Sequence, residues 1–361
     1  MSNERYSRQM KVEGWDQTSL ENGKVIIVGI GALGSPIAMN LVMAGVGELI
    51  LIDMDTIELS NLNRQMLFTT QDIGRNKAEV AKEVLMRINS DVKITTFTKK
   101  VQKLSLSILS KKSTETKLIL VDALDNFETR RWLNSLAIHH NIPLVSGGMY
   151  GLLGNVQIII PNKTPCLECQ PLIAERELQK ACSLPGNVRK ANAEKIAEQE
   201  KKFRLNVNLS NRTAISDDDY FPALGSVSSI IGGLMSHEIL KLLQPLGNFP
   251  ILDEYLFVDT TNLSFLRVPL NKREDCIVCG TKYKVDGIPF SIETSDTLSD
   301  FRNKIGLQLN LNEKNLSIMF KGQDLIDQTK MIRDLLEEGD FIYIAGSEVP
   351  NLIKLKISFV D

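Results

Sequence analysis

Short apolar runs alternating with stretches of helical composition organise the first half of the chain. Residues 24–28 read Lys-Val-Ile-Ile-Val, a β-rich run with no polar alternation, which suits a strand buried on both faces of a parallel sheet. Residues 35–44 follow with helical composition, and 48–52 form a second apolar strand. Residues 118–121 are a further strand, with a helix predicted over 128–138. Residues 187–204, rich in Ala, Glu, Lys and Gln, predict another helix. Past Cys279 the pattern changes. Residues 287–293 and 315–320 read as strands around an amphipathic helix at 298–309, and 341–345 and 351–360 supply more strands. Strands returning on both sides of a single helix suit a β-grasp fold, and about 75 residues are enough to fold independently.

Composition narrows the class only a little. The 361 residues have room for two or three domains, and 43% hydrophobic with 24% charged residues is ordinary for a soluble globular protein. A formal net charge of −2 leaves no global basic field for nucleic acid or membrane lipid. The N-terminal residues are polar and no apolar run reaches about 18 residues, so neither a signal peptide nor a membrane span is expected. A reducing cytoplasm is the expected location.

Five cysteines carry much of the candidate chemistry. Four form two Cys-x-x-Cys pairs, Cys166/Cys169 and Cys276/Cys279, which supply the four soft thiolates that tetrahedral Zn²⁺ prefers. Without a secretion signal such pairs favour metal over disulfides. The fifth, Cys182, stands alone in a chain that also carries a nucleotide loop, and is a candidate nucleophile.

That loop is Gly29-Ile30-Gly31-Ala32-Leu33-Gly34, between the first strand and its helix. Glycines there let backbone amides approach a phosphate at a helix N-terminus. Asp53, at the end of the second strand, is placed to bond ribose hydroxyls. Asn61, Arg64 and Lys77 follow, then Asp125 in Asp122-Ala123-Leu124-Asp125-Asn126. Two cations suit a triphosphate and a carboxylate after a strand suits Mg²⁺, neither of which a hydride-transfer site needs. The same residues also read as solvated surface charges, with Asp125 as a helix N-cap.

Taken in order, these motifs resemble the adenylation domain of ubiquitin-like-protein activating enzymes and their bacterial relatives in molybdopterin and thiamine biosynthesis. The match comprises Arg5-Tyr6-Ser7-Arg8-Gln9, the glycine loop, residues 52–65, 74–83, 122–126 and 143–148, both cysteine pairs and residues 232–243. The resemblance implies ATP, Mg²⁺ and structural Zn²⁺. It gives Asp53 the ribose, sets Asp55 near the metal and phosphates, and puts Asn61, Arg64 and Lys77 on the triphosphate, with Asp125 on Mg²⁺. Arg8 matches the arginine that this family inserts into a partner subunit's ATP site, which implies a homodimer. Cys182, in Ala181-Cys182-Ser183-Leu184-Pro185, matches the cysteine that takes the adenylated tail as a thioester, although threonine usually stands where Ser183 is. His139, His140 and His237 are read as structural.

The implied architecture is α/β: a Rossmann-like adenylation domain with a zinc-clamped catalytic-cysteine half-domain inserted, plus a C-terminal β-grasp, ubiquitin-fold domain. The boundaries are 1–165 for the first adenylation part and 166–222 for the first zinc pair, cysteine segment and crossover loop. Residues 223–285 hold the second adenylation part and 286–361 the ubiquitin-fold domain. That last domain resembles the one that recruits a conjugating enzyme in neddylation and sumoylation. The chain ends Ile357-Ser358-Phe359-Val360-Asp361, not in a flexible Gly-Gly tail, so the domain is not expected to be the fused substrate. The implied activity is ATP-dependent activation of a ubiquitin-like protein ending in Gly-Gly. The alternatives are an adenylyltransferase for a sulfur carrier of molybdopterin, thiamine or tRNA thiolation, and an inactive scaffold half.

Overall fold

A computed structural model of the chain describes residues 2–104, 106–109, 116–169, 222–244, 253–274, 276, 278–280, 288–309, 316–320, 323–325, 329–346 and 353–360. Apart from Pro222 these residues belong to one unit, made of Met1–Cys169 and Ala223–Asp361. Cys182 and the crossover segment 206–219 lie outside the described residues.

The N-terminal segment carries the short helices α1 (Ser2–Arg5) and α2 (Gln17–Glu21). The larger sheet follows with β1 (Lys24–Val28), β2 (Glu48–Ile52), β3 (Lys93–Phe97), β4 (Leu118–Asp122), β5 (Leu144–Tyr150), β6 (Leu153–Ile159), β7 (Tyr255–Asp259) and β8 (Ser264–Val268). Their order is β3-β2-β1-β4-β5-β6-β7-β8. The first five are parallel and the rest join antiparallel. Connections run outward in opposite directions from β1 and β4, so the crevice at their C-terminal ends is a topological switch point, where ligands bind in open α/β sheets.

The unbroken apolar strands are explained by cover on both faces. Val25 and Ile27 pack with α3 (Gly34–Ala44), α4 (Lys77–Ile88) and α6 (Gly225–Leu243). Ile26 and Val28 point the other way, onto Trp132, Leu133 and Leu136 of α5 (Phe127–His139). A strand with a helical layer on each side has no solvent face on which to place polar residues. Each fully buried aliphatic side chain stabilises the fold by about 1.5–3 kcal/mol.

The C-terminal residues form a second sheet with its own core. Its strands are β9 (Ile288–Glu293), β10 (Leu316–Phe320), β11 (Gln323–Asp324), β12 (Phe341–Gly346) and β13 (Ile353–Val360), ordered β11-β10-β12-β13-β9. β9 and β13 pair in parallel and the other neighbours are antiparallel. One helix, α7 (Leu298–Leu309), packs Phe301 and Ile305 against Phe290, Ile318, Ile342 and Leu355. Thr297 and Asp300 cap it reciprocally, the Thr297 amide donating to Asp300 Oδ2 and the Asp300 amide to Thr297 Oγ1. Tyr343 of β12 also lies against the core beneath α5, beside His139 and His140. Among the described residues no helix is long and apolar enough to cross a membrane.

Candidate functional site

The glycine loop leaves β1 in a conformation that its sequence requires. Gly29 has φ +90°, and a Cβ there would lie 2.6 Å from Ala123 O. A Cβ on Gly34 would lie 2.0 Å from Gly29 O. Both glycines therefore serve close backbone approach in a tight turn. The Ser35 amide donates to Gly31 O, which begins α3. The amides of Ala32, Leu33 and Gly34 have no acceptor among the described residues, which leaves an anion-seeking helix N-terminus. Ser35 Oγ and Gln65 Oε1, both buried, also have no partner there.

Asp53 knits this loop to the end of β2. Its Oδ2 accepts from the Ile30 amide at 2.7 Å and its Oδ1 from the Asp55 amide at 2.8 Å. Burial pushes its carboxyl above the usual range, against the lowering effect of these amides and of Lys77. A carboxylate has about four acceptor positions, so capacity for ribose hydroxyls remains.

The cations occupy the adjoining wall. Asn76 caps α4 by accepting from the Ala78 and Glu79 amides, while its Nδ2 reaches the Asp55 carbonyl at 3.2 Å. Lys77 is thereby brought over the end of β2, with Nζ 3.2 Å from Asp55 Oδ2 and its side chain only 9% exposed. That burial sets it apart from a solvated surface lysine. Asn61 is buried at the end of a 3₁₀ turn and its Oδ1 accepts from the Glu58 amide. Arg64 donates to Ser60 O and Asn63 Oδ1 and is the less buried of the two cations. The Gln65 amide lies beside Gly31, which brings the 61–65 turn to the glycine loop.

Asp125 is exposed on the loop after β4 and makes no hydrogen bond or ion pair among the described residues. The cap of α5 is its neighbour Asn126, whose Oδ1 accepts from the Thr129 amide at 2.8 Å. Asp125 is therefore left as a free carboxylate at a strand end, a donor suited to Mg²⁺. Arg8 is exposed, and its side chain makes no hydrogen bond or ion pair among the described residues. The segment around it is anchored: Arg5 donates to Ile88 O, Gln9 to Ala44 O, and the Tyr6 hydroxyl accepts from Asn89.

Four cysteines far apart in sequence meet under α5. All four sulfurs lie within 4.8 Å of one another, and all four residues are buried. Cys166 Sγ is 3.6 Å from Cys276 Sγ, and Cys169 Sγ is 3.3 Å from Cys279 Sγ. Zn–S bonds of about 2.3 Å set tetrahedral sulfurs about 3.8 Å apart, so the cluster fits zinc with small adjustment. The Gly280 amide donates to Cys276 O and the Cys169 amide to Cys166 O, folding each pair into a knuckle.

Several polar residues were given no role by the motifs. Asp122 is fully buried, accepting from Ser146 Oγ at 2.7 Å and pairing with Arg130 Nε at 3.2 Å. Arg131 grips Glu168, inside the first cysteine pair, through Nε and Nη2. Asn134 accepts from the Leu167 amide in the same knuckle. The available signal was an aspartate ending a strand whose other residues are all apolar; the arginine doublet and the asparagine lie on a helix of mixed composition.

A switch-point crevice with a glycine loop, a buried aspartate and lysine beside it, and a separate cluster of four thiols that could hold a metal ion define a Rossmann-like α/β protein. The ThiF family model matches residues 6–278, and the chain belongs to the ThiF family. It is similar to the NEDD8-activating enzyme E1 catalytic subunit of Schizosaccharomyces pombe, 30% identical over 355 residues, covering 82% of this chain and 78% of that one. It is equally similar to the sulfur carrier protein adenylyltransferase of Thermus thermophilus, 30% identical over 287 residues, with 77% and 90% covered. Among solved structures, E. coli MccB with MccA-N7isoASN shares the fold at TM-score 0.56 and 25% identity, with 76% and 75% covered.

Proposed function

We propose that the chain uses ATP to adenylate the C-terminal carboxylate of a ubiquitin-like protein, takes the acyl group on Cys182 as a thioester, and passes it to a conjugating enzyme. The observation that carries the adenylation step is the cradle in which Asp53 bonds the glycine loop while Lys77, paired with Asp55, lies buried over the end of β2. In this reading Asp53 holds the ribose, the Gly29–Gly34 loop meets phosphate through its free amides at Ala32, Leu33 and Gly34, and Asn61, Arg64 and Lys77 meet the triphosphate. The incoming carboxylate is already ionised and attacks the α-phosphate without a side-chain base, so the residues act by orientation and by stabilising charge that grows on phosphate. Pyrophosphate leaves and a mixed anhydride remains. Mg²⁺, held by Asp125, would neutralise phosphate charge, and Zn²⁺ on the four cysteines would be structural. Arg8 acts on the site of a second copy in a homodimer.

The choice of an activating enzyme is supported by the C-terminal sheet. Among the described residues one helix packs on a mixed five-stranded sheet whose edge strand β9 runs parallel to its neighbour β13, which suits a ubiquitin-fold module that recruits the conjugating enzyme. The domains then run 1–165, 166–222, 223–285 and 286–361, in a reducing cytoplasm. Similarity over 90% of a sulfur carrier protein adenylyltransferase favours a second reading, in which the adenylate goes to a sulfur donor and Cys182 forms no thioester with a modifier.

A non-reducing gel of the chain with Mg-ATP and a Gly-Gly-ending ubiquitin-like protein from the same genome tests the choice. An adduct that is removed by thiol and missing in Cys182→Ala supports the activating enzyme. Adenylate without an adduct selects the sulfur-carrier reading.

A further inference from the structure

We propose that Arg130 is a positioning residue for metal binding, setting the loop that presents Asp125. The inference rests on the metal role given to Asp125 above. Arg130 lies on the first full turn of α5, with a side chain only 16% exposed. Its Nη2 donates to Leu124 O at 2.6 Å and to Gly147 O at 2.7 Å, while Nε pairs with Asp122 Oδ2 at 3.2 Å. The Leu124 amide donates to Asp122 Oδ1 at 3.2 Å. Leu124, the residue before Asp125, is thus held at both its amide and its carbonyl by one buried ion pair.

On the other side of Asp125, Asn126 is fixed as the cap of α5. The exposed carboxylate therefore sits between two pinned neighbours, and Ala123 abuts Gly29 of the glycine loop. A loop held in this way has little conformational freedom left to lose when a cation binds its side chain. Only a planar guanidinium reaches two carbonyls and a carboxylate from one position; an ammonium keeps the charge but loses the fork. Ser146, by contrast, bonds Asp122 alone and touches neither atom of Leu124.

The test measures Mn²⁺ binding to the full chain by calorimetry in the presence of a non-hydrolysable ATP analogue, and analogue binding without metal. Arg130→Lys is expected to weaken Mn²⁺ about tenfold, the scale of lost outer-shell support for a metal ligand, and to leave metal-free analogue affinity within about twofold. Ser146→Ala should keep wild-type Mn²⁺ affinity even if it melts earlier. If Arg130→Lys does not fold, Arg130→Gln, a planar donor without charge, is read in the same way. Unchanged Mn²⁺ affinity, or an equal loss with and without metal, overturns the inference alone. Wild-type protein that binds the analogue but takes up no Mn²⁺, or takes it up equally well as Asp125→Asn, overturns the metal role of Asp125 and the inference with it.

Discussion

Lys77 Nζ lies 3.2 Å from Asp55 Oδ2, the lysine side chain 9% exposed and the aspartate 58% exposed. The cation is thus largely removed from water and held at the crevice by a partner that water still reaches. A triphosphate offers such an ammonium stronger acceptors than one screened carboxylate. Lys77→Met should lower ATP–pyrophosphate exchange by about 100-fold, the scale of a lost transition-state donor. Asp55→Asn should cost much less. Steady-state exchange measured for both variants checks the order.

The four-thiol cluster should hold about one zinc per chain, lost together with stability when a ligand is removed. Elemental analysis and thermal melting of wild type and Cys276→Ser provide the check. A variant with full metal content would exclude four-cysteine coordination.

Arg131 and Glu168 form a buried pair beside the knuckle, with side chains 9% and 5% exposed. Arg131→Met strands a buried carboxylate and should destabilise by about 3–5 kcal/mol. Adding Glu168→Met should recover most of the loss, since an apolar pair removes the unpaired charge. Denaturant unfolding of both variants separates this from simple loss of packing.

His140 Nε2 is buried without a hydrogen-bond partner, and its ring lies 5.5 Å from that of Tyr343. Burial, then the neighbouring charges of His139 and Lys354, push its pKa down to about 4. The folded chain therefore keeps His140 neutral, while the unfolded chain protonates it below about pH 6.5. Its contribution to stability is constant above that pH, falls as pH drops from about 6.5 to 4, and levels below. The full loss is at most about 3 kcal/mol by proton linkage. Unfolding free energies at pH 7 and 4.5 should differ less in His140→Gln than in wild type.

Much of the fold was readable because it is locally encoded. β1 and β2 are wholly apolar after their first residues, Lys24 and Glu48, and Gly29–Gly34 and Asp53 follow at the spacing of a strand–turn–helix unit. Helix ends shifted by a residue or two where caps outweighed composition: α5 starts at Phe127 because Asn126 caps it. No helix range was predicted over Gly225–Leu243, whose composition is apolar with interspersed Gly and Ser; burial of Val227, Ile231, Met235 and Ile239 fixes it as α6.

Residue type and local spacing were enough to single out the glycine turn, Asp53 at the end of β2 and the paired thiols, since each stands out against neighbours a few positions away. Partnership across the fold was not readable in that way. Which charges leave water, as Lys77 and Glu168 do, depends on helices laid over the sheet from elsewhere in the chain. Closure of two cysteine pairs 110 residues apart into one cluster and the binding of Leu124 by Arg130 depend on the same packing. Burial and long-range hydrogen bonding are properties of assembled layers, and no segment carries them before those layers meet.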